Sequence, residues 1–292
     1  MALSAKSDES SRAGFDNHRG ELGARMTITG KTRVYAILGD PLANARSPEG
    51  INALFAEREL DAVLVPAEVD AAGFDAAVVG FKQLKNCWGL ILTMPHKQAM
   101  LKHVDLLRDN GRLIGAVNAT RRLEDGRWEG DMFDGLGYVG ALRARGIDPA
   151  GKRVHMMGAG GVARAMVLAL AQAGVASITL RDMEAERAQD LARAVTAAFP
   201  MLHAEAVAED RFECEILANA TPLGMRPQDP PACDPERIDR RTIVTDVIPK
   251  PEMTPLLNAA RARGCTIVTG REMFQAQVGM VAEFLGARPR HG

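Results

Sequence analysis

Residues Val154-His155-Met156-Met157 form a short apolar run that ends in Gly158-Ala159-Gly160-Gly161-Val162-Ala163. A long apolar helical stretch follows, and a second β-type run, Ser177-Ile178-Thr179-Leu180-Arg181, ends on Asp182. This order is what a dinucleotide-binding βαβ unit requires. Gly158 permits a tight turn, Gly160 lets the backbone approach a pyrophosphate, and Ala163 lets the helix pack closely on its strand. The exposed amides at the new helix N-terminus then face the phosphates. Gly158, Ala159, Gly160 and Gly161 are therefore the candidate cofactor loop. Asp182 follows Gly158 by 24 residues, close to the roughly 20 expected for the acid that accepts from the adenosine ribose. Its carboxylate, with Glu184 nearby, repels a 2′-phosphate, which points to NAD. The alternative is NADP, with Arg181 or Arg187 gripping that phosphate while Asp182 points away.

A second group of chemically capable residues lies earlier in the chain. Thr93-Met94-Pro95-His96-Lys97 falls at the carboxyl end of a predicted strand, so Lys97 faces the expected cleft. Asp131 and Asp134 fall at a domain junction, just before a helix. Hydride transfer from a secondary alcohol to NAD needs a group that takes the hydroxyl proton. A lysine beside an aspartate can do so if burial offsets the stabilising charge of its partner. Spacing alone leaves the plainer reading in front, in which both are solvated surface residues.

The elements that must position these groups read as alternating strands and helices. Strands are expected over Arg33–Gly39, Ala62–Val69 and Trp88–Thr93, with helices from Ser47 to about Leu60 and over Ala71–Leu84. Ser47 is expected as the N-cap of the first helix, with Pro48 at its first position. Val117–Asp131 reads as a hairpin turning at Glu124-Asp125-Gly126, followed by a helix from about Gly135 to Arg145. After the glycine-rich unit come a helix over Glu184–Phe199, strands near 215–219 and 243–247, a helix near 255–263 and a strand near 266–269. A last helix spans Glu272–Leu285, with Met273, Ala276, Met280, Val281 and Phe284 on one apolar face. The fold class is α/β, in two domains. Residues 30–133, joined by 270–292, form an N-terminal substrate domain, and 134–269 a C-terminal Rossmann-type dinucleotide-binding domain. The polar stretch 1–29 reads as a disordered leader.

Composition narrows the function classes. The chain has 292 residues, 47% of them hydrophobic, and a formal net charge of −1. That balance gives no footprint for nucleic acid or an anionic membrane. The longest apolar stretch, Val162–Leu180, is broken by Arg164 and Gln172 and does not read as a membrane span. Cys87, Cys214, Cys233 and Cys265 are scattered, without Cys-x-x-Cys spacing, as in a cytoplasmic protein with reduced thiols. The six histidines form no cluster, so no metal site is expected.

The ordered set of short motifs resembles the shikimate/quinate dehydrogenase family, over nearly all of Arg33 to Leu285. The matching segments in the first half are Gly39-Asp40-Pro41 with Arg46-Ser47-Pro48, Thr93-Met94-Pro95-His96-Lys97, Gly115-Ala116-Val117-Asn118 and Gly130-Asp131-Met132-Phe133-Asp134-Gly135. In the second half they are the glycine loop, Asn219-Ala220-Thr221-Pro222-Leu223-Gly224-Met225, Asp246 with Thr254-Pro255-Leu256, and Met273-Phe274-Gln275-Ala276-Gln277. The resemblance implies Lys97 and Asp134 as the catalytic pair, with Asn118 holding the reacting hydroxyl. It implies Ser47, Thr93 and Gln277 at the substrate's ring or carboxylate. It further implies Asn219, Ala220 and Thr221 along the cofactor site, and Met273 near the nicotinamide. The same implication makes the partner a cyclic hydroxy acid and the assembly a monomer or homodimer.

Five positions depart from the family pattern. Ala45 stands where the first serine of Ser-x-Ser-Pro is usual, and Ile91 where an asparagine precedes the threonine. Met132-Phe133 replaces Asn-Thr, and Pro249 replaces a tyrosine. Each change removes a polar group, and a buried polyol left underpaired costs about 1–3 kcal/mol per group. The expectation is an NAD-dependent oxidoreductase for a cyclic hydroxy acid less hydroxylated or bulkier than shikimate. One alternative is a genuine NADP-dependent shikimate 3-dehydrogenase. Another is a non-catalytic nucleotide or metabolite sensor.

Overall fold

The computed structural model describes residues 28–43 and 45–287, so most of the expected leader lies outside the described residues. Two six-stranded sheets carry the chain. The first contains β1 (Arg33–Gly39), β2 (Ala62–Glu68), β3 (Cys87–Leu92), β4 (Leu106–Leu107), β5 (Ala119–Arg122) and β6 (Trp128–Asp131), in the order β2-β1-β3-β5-β6-β4. β1 pairs parallel with β2 and β3, while β3–β5 and β5–β6 are antiparallel, so this sheet is mixed. β1 is apolar nearly throughout because both faces are covered. Tyr35 and Ile37 point to one core with Ile51 and Phe55, and Ala36 and Leu38 to another with Phe74, Leu90 and Trp128. Successive side chains of a strand face opposite sides, which is how seven residues serve two cores.

The second sheet contains β7 (Arg153–Met157), β8 (Ser177–Arg181), β9 (His203–Ala206), β10 (Ile216–Asn219), β11 (Ile243–Asp246) and β12 (Thr266–Val268). All its pairings are parallel, in the order β12-β11-β10-β7-β8-β9. This is the doubly wound arrangement, whose strand order reverses between β7 and β10 and leaves a crevice beyond their carboxyl ends.

Helices α1 (Ser47–Glu57), α2 (Phe74–Gln83), α3 (Asp109–Ile114), α4 (Asp134–Ala144), α5 (Gly161–Gln172), α6 (Ala185–Ala198), α7 (Pro255–Ala262) and α8 (Gly270–Phe284) complete the fold. α8 opens with a capping box, Thr269 and Glu272 each accepting from the other's backbone amide. It starts beside the second sheet and ends on the first, where Val278, Val281 and Phe284 join the Tyr35–Phe55 core. The Tyr35 hydroxyl donates to the Leu285 carbonyl at 2.8 Å and fixes that return. α4 packs on both α8 and α5. Gly135 makes this contact possible, since a Cβ there would lie 2.0 Å from the Ala165 carbonyl oxygen on α5.

The elements start and stop within a few residues of the expected positions. One cap differs. The N-cap of α1 is Arg46, and Ser47 is the first helical residue without a capping hydrogen bond. Its hydroxyl lines a cavity instead. No helix of the described residues is long and apolar enough to cross a membrane.

Candidate active site

The parallel strands β1 and β3 end side by side, and the chain leaves β3 in a tight turn. Thr93 N–H donates to the Leu38 carbonyl at 3.0 Å, and His96 N–H donates to the Thr93 carbonyl at 2.9 Å. His96 is buried, stacked on Phe74 with ring centroids 4.3 Å apart, and its Nε2 lies 2.6 Å from the Val69 carbonyl oxygen. That ring is a peg that sets the direction of its neighbour. Lys97 is further held by its carbonyl, which accepts from Val117 N–H at 2.8 Å.

Asp134 approaches from the other side. It opens α4, where the helix dipole favours a carboxylate. Phe133 N–H donates to Asn118 Oδ1 at 2.9 Å, which locks the entry to that helix. Lys97 Nζ donates to Asp134 Oδ2 at 2.6 Å, while Asn118 Nδ2 and Gln277 Nε2 donate to Oδ1 at 2.6 and 2.7 Å. Three side chains from distant parts of the sequence thus converge on one carboxylate. Lys97 keeps 25% of its side chain exposed and Asp134 11%, so the pair borders solvent-reachable space without being flooded by it.

The space is a cavity of about 190 Å³. Ser47 and Thr93 line it with hydroxyls, whereas Ala45, Ile91, Ile51 and Val281 make the remaining wall apolar. An amine bonded to a carboxylate and open to such a cavity can give a proton to, or take one from, a bound oxygen.

The crevice of the second sheet holds the glycine loop. Gly158 has φ +99°, and a Cβ there would sit 2.9 Å from the Ala220 carbonyl oxygen, so only glycine fits. Nothing lies within 4 Å of a Cβ built on Gly160 or Gly161, which leaves open space over the N-terminus of α5. That space suits phosphate groups. Asp182 Oδ2 accepts from Ala159 N–H at 2.7 Å and Oδ1 from Glu184 N–H at 2.9 Å, so the acid braces the loop. The Ala159 amide is committed to this contact. Arg181 lies 3.6 Å from Asp210, and Arg187 2.9 Å from Glu184.

Two expected cofactor-lining residues take other places. Asn219 is fully buried. Its Oδ1 accepts from the Thr221 amide and hydroxyl at 3.0 and 2.6 Å, and its Nδ2 donates to the Leu223 carbonyl and Asp246 Oδ2 at 3.1 Å each. It holds the turn, and the half-buried Ala220 and Thr221 are what the turn presents. The Met273 side chain is buried in the core beneath α4 and α5. The residues without an assigned role in the sequence are His96, the peg beside Lys97, and Asp246 as part of a brace. Asp246 accepts from Thr254 Oγ1 at 2.7 Å and Ile248 N–H at 3.0 Å, and burial pushes its carboxyl above the usual range. A histidine directly before the candidate lysine was the only signal for the first.

Comparison with known proteins agrees with this geometry. Residues 37–120 match the shikimate dehydrogenase substrate-binding domain. The NADP(+) shikimate dehydrogenase of Symbiobacterium thermophilum is 34% identical over 262 residues, 87% of this chain and 88% of that one. This chain belongs to the shikimate dehydrogenase family. It is thus an oxidoreductase of the shikimate/quinate dehydrogenase type. Among solved family structures, the Listeria monocytogenes shikimate 5-dehydrogenase in complex with shikimate and NAD is 29% identical, with a TM-score of 0.84. That alignment covers 91% of this chain and 96% of that one. The ligand-free 5-ketofructose reductase of Gluconobacter sp. strain CHM43 is 33% identical with a TM-score of 0.84, over 89% of this chain and 95% of that one.

Proposed function

We propose that this chain oxidises a secondary hydroxyl of a cyclic hydroxy acid to the ketone, and reduces it back, with a nicotinamide dinucleotide as partner. One observation carries the reading: the Lys97–Asp134 pair, held by Asn118 and Gln277 at a small cavity. Lys97 takes the hydroxyl proton in oxidation and returns it in reduction. Asp134 orients the amine and balances its charge, and Asn118 and Gln277 hold Asp134 in register. Ser47 and Thr93 bind the substrate from the far wall. A bound dinucleotide supplies the hydride acceptor or donor. Gly158, Gly160 and Gly161 with the start of α5 hold its phosphates, and Ala220 and Thr221 border it.

For the cofactor, this chain's own residues support NAD. Asp182 presents negative charge at the end of β8, and Arg181, beside it, faces Asp210 at 3.6 Å. For the substrate, the apolar wall at Ala45 and Ile91 supports an acid with fewer hydroxyls than shikimate. A second reading, NADP-dependent oxidation of shikimate itself, is favoured by the names of the curated relatives. A matrix of kcat/KM for shikimate, quinate and monohydroxycyclohexanecarboxylates, each with NAD and NADP, separates the two. The first reading expects at least a tenfold preference for NAD and for the less hydroxylated acids. A preference for shikimate with NADP establishes the second.

A further inference from the structure

Beside the cavity at Lys97 lies another of about 260 Å³, and Phe274 forms part of the wall of both. The two differ in charge. Among the described residues lining the first, Lys97 is the only cation, and Asp134 already pairs with it. Apart from Lys97, it offers a carboxylate the Ser47 and Thr93 hydroxyls and the amides of Asn118 and Gln277, which already donate to Asp134. The second is lined by two cations, Arg46 and Arg271, against one acid, Glu49, with Gln275 as its other polar side chain. Arg46 is the N-cap of α1 and Arg271 the second residue of α8, so the positive ends of two long helices meet at this place. Each guanidinium spends one nitrogen on an acid, Arg46 on Glu49 at 3.3 Å and Arg271 on Glu252 at 3.0 Å. These partners are well exposed, and exposed pairs of this kind contribute little and exchange readily. The remaining N–H groups keep the planar fork that suits a carboxylate.

We infer that Arg46 and Arg271 form an anion subsite that takes the substrate's carboxylate beyond Phe274. The preferred acids then carry that group on a side chain of the ring. The inference rests on the proposed dehydrogenase reading, since the reacting oxygen is placed at Lys97. It moves the carboxylate out of the first cavity and explains how a chamber whose one cation is already paired serves an acidic substrate.

The test uses 4-hydroxycyclohexanecarboxylate, its acetate and propionate homologues, and the methyl ester of each, with the full chain and NAD. Calorimetry reads affinity and a steady-state assay reads turnover. The expected result is tighter binding of the side-chain acids, at least tenfold over their esters. That discrimination drops tenfold or more in Arg46→Gln/Arg271→Gln and is partly restored in Arg46→Lys/Arg271→Lys. Lys97→Ala keeps the discrimination in binding and loses turnover. Equal affinity for acids and esters, or discrimination untouched in the double glutamine variant, overturns the subsite, as does tightest binding of the ring carboxylate. Arginine-dependent binding without turnover of any acid would instead sink the dehydrogenase reading and leave the subsite standing.

Discussion

Asp134 and Asp246 are both buried and both accept three hydrogen bonds, one at the cleft of the first sheet and one at the end of β11. Their surroundings differ in one respect that separates chemistry from scaffolding. Asp134 faces a lysine and a cavity, so its charge acts on a proton that can leave. Asp246 faces a threonine hydroxyl, an asparagine amide and a backbone amide, and no cation pairs with it among the described residues. A buried carboxylate without a cation is a bracket: it joins Asn219, Thr254 and the chain after β11 into one rigid corner.

Breaking the first arrangement should have the largest consequence. Lys97→Ala is expected to lower kcat by roughly 10²–10⁴, the range for loss of a general acid or base, while NAD affinity persists. Calorimetric NAD binding together with steady-state turnover measures both, and unaltered turnover would remove Lys97 from the chemistry. Breaking the second should act on folding. Asp246→Asn sets an amide against surrounding donors and is expected to cost about 1–3 kcal/mol of stability by denaturant titration. The pH dependence sharpens the contrast. Burial raises the Asp246 carboxyl above its ordinary 3.8, so the native chain retains a proton that the unfolded chain has lost. Stability from this group is therefore present at low pH and declines as pH climbs from about 3.8 through the folded value. The advantage of wild type over Asp246→Asn should shrink across that window, and an advantage that grows with pH would contradict the assignment. The smallest effect concerns Asp182. Asp182→Asn removes the charge that opposes a 2′-phosphate, and the ratio of kcat/KM for NAD over NADP should fall about tenfold, roughly 1.4 kcal/mol.

Much of this architecture was readable from the chain because its signals are local. The glycine loop between an apolar strand and an apolar helix, and the apolar face of the last helix at helical spacing, are local patterns. The elements that escaped notice depend on distant partners. β4 is two residues long and exists through pairing with β6, and β9, His-Ala-Glu-Ala, is a polar edge strand fixed by β8. α3 carries an aspartate, an asparagine and a glycine in its first three positions, a composition that reads as a turn. In the site, residue types suggested a lysine and an aspartate, and the family resemblance joined them. The bracing part of Asn219 has no local signal, because an amide at a strand end reads equally as a ligand or a brace. Only its four hydrogen bonds, to three neighbours, decide between them. Arg46 and Arg271 lie 225 residues apart, and each alone reads as an ordinary solvated side chain.

The attachment of the two proposed catalytic groups has a mechanical corollary. Lys97 hangs from the end of β3 in the first sheet, whereas Asp134 rides on α4, keyed to α5 of the second sheet through Gly135. The 2.6 Å ion pair therefore spans the seam between halves and acts as a gauge of how far apart they stand. A widened groove would part both Lys97 and Asn118 from the Asp134 carboxylate, so proton transfer is tied to the closed posture by carpentry alone.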